Sequence, residues 1–77
     1  MKELQEVVLN VDLPEYGLMR GDIGTIVLVH GEHEGYEVEF MTLNGETIAV
    51  VTLLPSQIRP IAPQEIAHVR ALEKIPA

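Results

Sequence analysis

Tyr36-Glu37-Val38-Glu39-Phe40-Met41-Thr42-Leu43-Asn44-Gly45-Glu46-Thr47-Ile48-Ala49-Val50-Val51-Thr52-Leu53 reads as two strands around one tight turn. Asn44-Gly45 is the preferred dipeptide for a two-residue type I′ turn, where both central residues need positive φ. A turn there sets the register. Phe40 faces Ala49, Val38 faces Val51 and Tyr36 faces Leu53, all apolar and all on one side. The other side pairs Glu37 with Thr52, Glu39 with Val50 and Met41 with Ile48. A slip of one residue would drive glutamates into the core, so pattern and turn chemistry agree.

Upstream, Glu6 to Leu13 alternates as well, with Val7, Leu9, Val11 and Leu13 on one side. Pro14 closes that strand, because proline cannot donate to a ladder. Residues 14–24 form a long connection in which Gly17, Gly21 and Gly24 mark tight backbone and Leu18 and Ile23 are the expected anchors. Thr25-Ile26-Val27-Leu28-Val29 is a continuous apolar run, the pattern of a strand covered on both faces. Gly31-Glu32-His33-Glu34-Gly35 is a polar loop. Downstream, Leu54-Pro55-Ser56-Gln57 reads as a turn of 3₁₀ type, and Ile58-Arg59-Pro60-Ile61 as a short last strand kept to an edge by Pro60. An exposed edge on this fifth strand would let two copies pair as a homodimer. For the remainder, Pro63 can open a helix running to about Lys74. Ile66, Val69 and Leu72 drift around such a helix, however, so an extended tail with Ala67, Val69 and Ala71 inward is the alternative to the favoured helix.

The 77 residues suffice for one domain. With 47% hydrophobic residues but few aromatics, the core must come from Val, Leu and Ile, which suit strands. Twelve acidic against five basic residues give a net charge of −7. Lys2, Lys74, Arg20, Arg59 and Arg70 are scattered, so the sequence argues against nucleic acid and anionic membrane and for a cationic ligand or a basic protein partner. No cysteine is present, which removes disulfides and thiolate chemistry. Met1-Lys2-Glu3-Leu4-Gln5-Glu6 is not a signal peptide, and no apolar run approaches the ~20 residues of a membrane span. The expected location is the cytoplasm.

The order of about five short antiparallel strands, with a long first connection and a 3₁₀ turn before the last strand, is that of a small SH3-like barrel. The expected division is an all-β barrel over 1–62 and a C-terminal helix or extended tail over 63–77. Val8-Leu9 with Asp12-Leu13-Pro14, Gly21-Asp22-Ile23-Gly24-Thr25-Ile26-Val27, Tyr36-Glu37-Val38-Glu39-Phe40, Gly45-Glu46-Thr47 and Val50-Val51-Thr52-Leu53 resemble a family of small bacterial proteins of unknown function. The Gly-Asp-x-Gly-Thr segment is also similar to that of the nitrile hydratase β-subunit and ribosomal KOW-type barrels. The resemblance covers roughly residues 4 to 61 and implies a fold without an activity. Its members are often encoded beside a second small protein, which implies a partner or antidote role.

Chemistry-bearing clusters are few. His30, Glu32 and His33, with Glu34, are the one candidate metal set, yet they lack the spacing of a zinc motif. Ser56 has no nucleophile elbow, and its hydroxyl is expected to close a local turn. Glu37 and Glu39 lie about 7 Å apart on one strand face, a glycosidase-like separation, but a barrel this small offers no sugar cleft. Gly21-Asp22-Ile23-Gly24 lacks the lysine of a phosphate loop; a tight turn with Asp22 bonded to nearby amides is expected. Tyr16, flanked by Glu15 and followed by Met19 and Arg20, is the candidate partner-binding group, since a tyrosine on the long loop suits an interface. The alternative is that its ring covers the open barrel end. The sequence thus points to a non-catalytic protein-binding module, possessing no cofactor motif. A metal- or small-ligand-binding accessory domain built on the His30–Glu34 loop is the second reading.

Overall fold

Alternating apolar residues on successive hairpins need a surface to face, and with no helix to supply one the sheet must curl onto itself. The computed structural model, which describes residues 1–72, shows this. Its strands are β1 (Glu6–Leu9), β2 (Ile23–His30), β3 (Gly35–Met41), β4 (Thr47–Leu53) and β5 (Ile58–Pro60). They form one antiparallel sheet in the order β4-β3-β2-β1-β5, the meander of an SH3-like barrel in which the last strand returns beside the first. Val7, Leu9, Ile26, Val38, Phe40, Leu53 and Ile58 are almost completely buried, so every strand contributes to a single interior.

The hairpin register is the expected one: Tyr36 opposes Leu53, Val38 opposes Val51 and Phe40 opposes Ala49. The turn is not the expected type. Only Gly45 has positive φ (+90°), Asn44 does not, and the Gly45 N–H donates to the Thr42 carbonyl. This is a turn spanning Thr42–Gly45 with a glycine bulge after it, and the Thr42 N–H donates to Glu46 O. A register shift between Phe40 and Met41 absorbs the difference, so Met41 opposes Thr47 instead of Ile48.

Three other expectations are corrected. β1 ends at Leu9, and Leu13 bridges Leu18 across a 3₁₀ turn, Pro14–Tyr16, closed by Gly17 in the left-handed region. Val27 and Leu28 are exposed, because no layer packs outside the barrel. A bulge between Ile26 and Leu28 places both on the outer side opposite β3. Among the described residues after β5 there is no helix: a turn at Pro63–Gln64 is followed by chain without regular structure to Leu72. Lys74, the expected helix end, lies outside the described residues.

That tail explains why Val8 is buried although it faces away from the core. Val8 and Arg59 line one cleft with Ile61, Glu65 and Ile66, so the tail lies over the outer side of β1 and β5. Arg59 forms a bidentate pair with Glu65 at 2.7 and 2.6 Å, and Glu65 also accepts the Ala62 N–H. Together these hold Glu65 down at about 2, the arginine's hydrogen bonds first. Among the described residues, no helix is long and apolar enough to cross a membrane.

Candidate interaction surface

The first loop is held by carboxylates. Asp12 Oδ1 accepts the Arg20 N–H at 2.8 Å, and Asp22 Oδ2 accepts the Met19 N–H at 2.9 Å. Asp22 therefore does bond to a nearby amide, as the glycine-flanked turn suggested. It is also the anchor of the tail. Arg70 Nε donates to Asp22 Oδ1 at 2.8 Å, Nη2 donates to Oδ2 at 2.5 Å, and Nη2 reaches the Gly17 carbonyl at 3.1 Å. Burial raises the Asp22 pKa, but the Arg70 hydrogen bonds, the Met19 amide and the arginine's charge outweigh it. The net position is below the ordinary value.

Between these clamps the loop presents Glu15, Tyr16, Met19 and Arg20 to solvent. Tyr16 is 43% exposed. Met19 is 45% exposed beside it. A rigid loop carrying exposed apolar side chains loses little conformational freedom when it meets a partner.

A second exposed surface lies on the outer side of β2, β3 and β4. Glu37 Oε2 accepts the Thr52 hydroxyl at 2.6 Å and His30 Nε2–H at 2.6 Å, and Glu39 Oε2 accepts the Thr47 hydroxyl at 2.7 Å. The Thr52 bond first and the His30 bond second lower the Glu37 pKa. Glu37 lies opposite Leu28 and Thr52, and Glu39 opposite Val50, so exposed aliphatics stand among anionic side chains. The Glu37–Thr52 pairing follows from the hairpin pattern, whereas the place of His30 beside Glu37 depends on the β2–β3 pairing.

The metal candidates are not brought together. His30 turns to Glu37, while the ring of His33 lies against Tyr36, with Nδ1 3.4 Å from the phenol oxygen. Among the described residues, no three His, Asp or Glu side chains converge as an ion would require. Ser56 sits in the 3₁₀ turn Pro55–Gln57, but the turn is closed by Gln57 Oε1 accepting the Leu54 N–H at 2.7 Å and not by the serine hydroxyl.

Residues 3–60 match the family model described as Domain of unknown function (DUF4926). The chain belongs to that family. The DUF4926 match ends where β5 ends, so Asp22 lies inside the matched region and its partner Arg70 beyond it. No curated protein and no solved structure gives a significant match to the chain.

Proposed function

We propose that this DUF4926 barrel is a non-catalytic protein-binding module, a regulator or antidote of a separately encoded basic partner. One observation carries the reading: a first loop fixed by Asp12, Asp22 and Arg70 that holds Tyr16 and Met19 out in solvent. A tyrosine on a pre-formed loop is the kind of group that anchors an interface, and losing such an anchor costs at least about 2 kcal/mol. The excess of seven negative charges selects cationic surfaces and speeds their encounter. The aliphatic-lined acidic face of β2–β4 fits the same class of partner.

The test is affinity capture from native extract on immobilised full-length chain, followed by titration of the captured protein against Tyr16→Ala. Binding weakened about thirtyfold, equivalent to ~2 kcal/mol, supports the reading. A captured partner that binds Tyr16→Ala undiminished overturns the role of the loop, and an extract that yields no specific partner overturns the module itself.

A further inference from the structure

The sheet has two outer edges, and they are treated differently. The edge at β5 is three residues long, contains Pro60, and has Arg59 tied to Glu65 of the turn that follows. Short length, proline and charge are the usual means of keeping an edge from pairing. The edge at β4 has none of these. Thr47-Ile48-Ala49-Val50-Val51-Thr52-Leu53 is seven residues long, without a charge or a proline. Among the described residues β4 pairs only with β3, so alternate residues turn their N–H and C=O groups away from the sheet. The sequence pattern suggested β5 as the pairing edge; among the described residues the edge strand without these defences is β4.

We propose that β4 is a homodimer interface, in which two copies pair antiparallel about a two-fold axis at Val50 to make one continuous sheet. The occupant is argued from the strand itself. An uncharged edge gives a basic strand nothing to choose it by, whereas it is self-complementary about its centre. Antiparallel pairing sets Val50 against Val50 of the second copy, Ala49 against Val51, Ile48 against Thr52 and Thr47 against Leu53. No like charges oppose each other, and β-branched pairs are the favourable cross-strand kind. Val50, 51% exposed in the single chain, would be covered. The Glu39 carboxylates of the two copies repel each other, since Glu39 neighbours Val50. Three strand spacings separate them, about 14 Å, which exceeds the ~8 Å screening length at physiological salt. The dimer therefore strengthens as salt rises. Binding of a basic partner through the first loop weakens with salt, so the two proposals fail independently.

The chain has no cysteine, which makes Val50→Cys a clean reporter. Directly opposed antiparallel residues have Cα atoms roughly 4.5–5.5 Å apart, inside the range a disulfide spans. Under mild oxidation Val50→Cys should cross-link to covalent dimer at least tenfold faster than Leu43→Cys, which sits 92% exposed at the hairpin tip. Sedimentation of the unmodified chain should show a monomer–dimer equilibrium that shifts towards dimer between low and physiological salt. Val50→Lys should weaken that association at least tenfold with β-sheet circular dichroism retained, and Thr52→Lys serves if Val50→Lys does not fold. Equal cross-linking rates at positions 50 and 43, or a monomer at every concentration and salt, would overturn the proposal.

Discussion

Gly24 shows why one position in a strand admits no side chain. It sits on β2 opposite Val7, and a Cβ there would lie 2.6 Å from Val38 Cγ1, 2.8 Å from Phe40 Cε1 and 3.0 Å from the Glu39 carbonyl. Those neighbours are core atoms with nowhere to retreat, so Gly24→Ala should destabilise the barrel by roughly 1–3 kcal/mol through overpacking. Gly21 is required for a different reason. Open space surrounds it, but its φ is +96°, and Gly21→Ala should cost about 1 kcal/mol from backbone strain alone. Urea melts of the two variants measure both, and a Gly24→Ala chain as stable as the parent would mean that β2 and β3 pack more loosely than described. Glu65 offers a sharper reading of charge. Its carboxyl should titrate near 2 instead of at its ordinary 4.5, as followed by carbon NMR, and Arg59→Gln should raise it towards the ordinary value but leave it lowered by the Ala62 N–H.

The hairpin separates what an element's sequence declares from what it leaves open. Period-two alternation in Tyr36–Phe40 and Ala49–Leu53 declares which side chains face inward, and the strands pair as that pattern requires. The turn was less legible, because Asn-Gly also fits a longer loop ending in a glycine bulge, and the outcome rests on whether Asn44 takes positive φ. In the observed turn it does not, so Asn44→Ala should lose only its hydrogen bond from the Thr42 hydroxyl, while Gly45→Ala should cost about 1–2 kcal/mol. Equal losses for the two would restore the two-residue turn. The bulge in β2 had no signal, since Val27-Leu28 carries neither glycine nor proline and both residues are apolar. The tail was illegible for another reason. Its geometry is set by Arg70 meeting Asp22 across 48 positions of chain, a proximity that no local period encodes. Arg70→Ala should free residues 66–72, seen as faster amide exchange there, with the barrel losing about 1 kcal/mol of stability for a partly buried pair. The pH dependence follows the sign of the Asp22 shift. A carboxyl held below its ordinary value, 3.8, stabilises the attached state fully above that value. The stabilisation is lost as pH falls through the lowered one, so the tail should detach only in strong acid.

For the molecule as a whole the decisive quantity is the imbalance of charge. Five cations face twelve carboxylates, and two of the five, Arg59 and Arg70, are engaged by Glu65 and Asp22 at the tail. The outer side of β2–β4 is left with Glu37 and Glu39 and no lysine or arginine. At 0.01 M salt the screening length, ~30 Å, matches the 40 × 29 × 21 Å dimensions of the molecule, and every carboxylate feels the rest. Near 0.15 M it falls to ~8 Å and only immediate neighbours interact. The partly buried Asp22–Arg70 pair is screened less than this surface repulsion, so salt removes more destabilising than stabilising interaction. Thermal melts of the Val50→Lys chain at low protein concentration keep any dimer out of the measurement. Tm should rise between 0.01 and 0.15 M salt, by about 4–8 °C if the relief is on the order of 1 kcal/mol. A Tm that fell instead would mean that the ion pairs of the tail outweigh the repulsion of the barrel, and that the chain holds its acidic surface together through those two arginines.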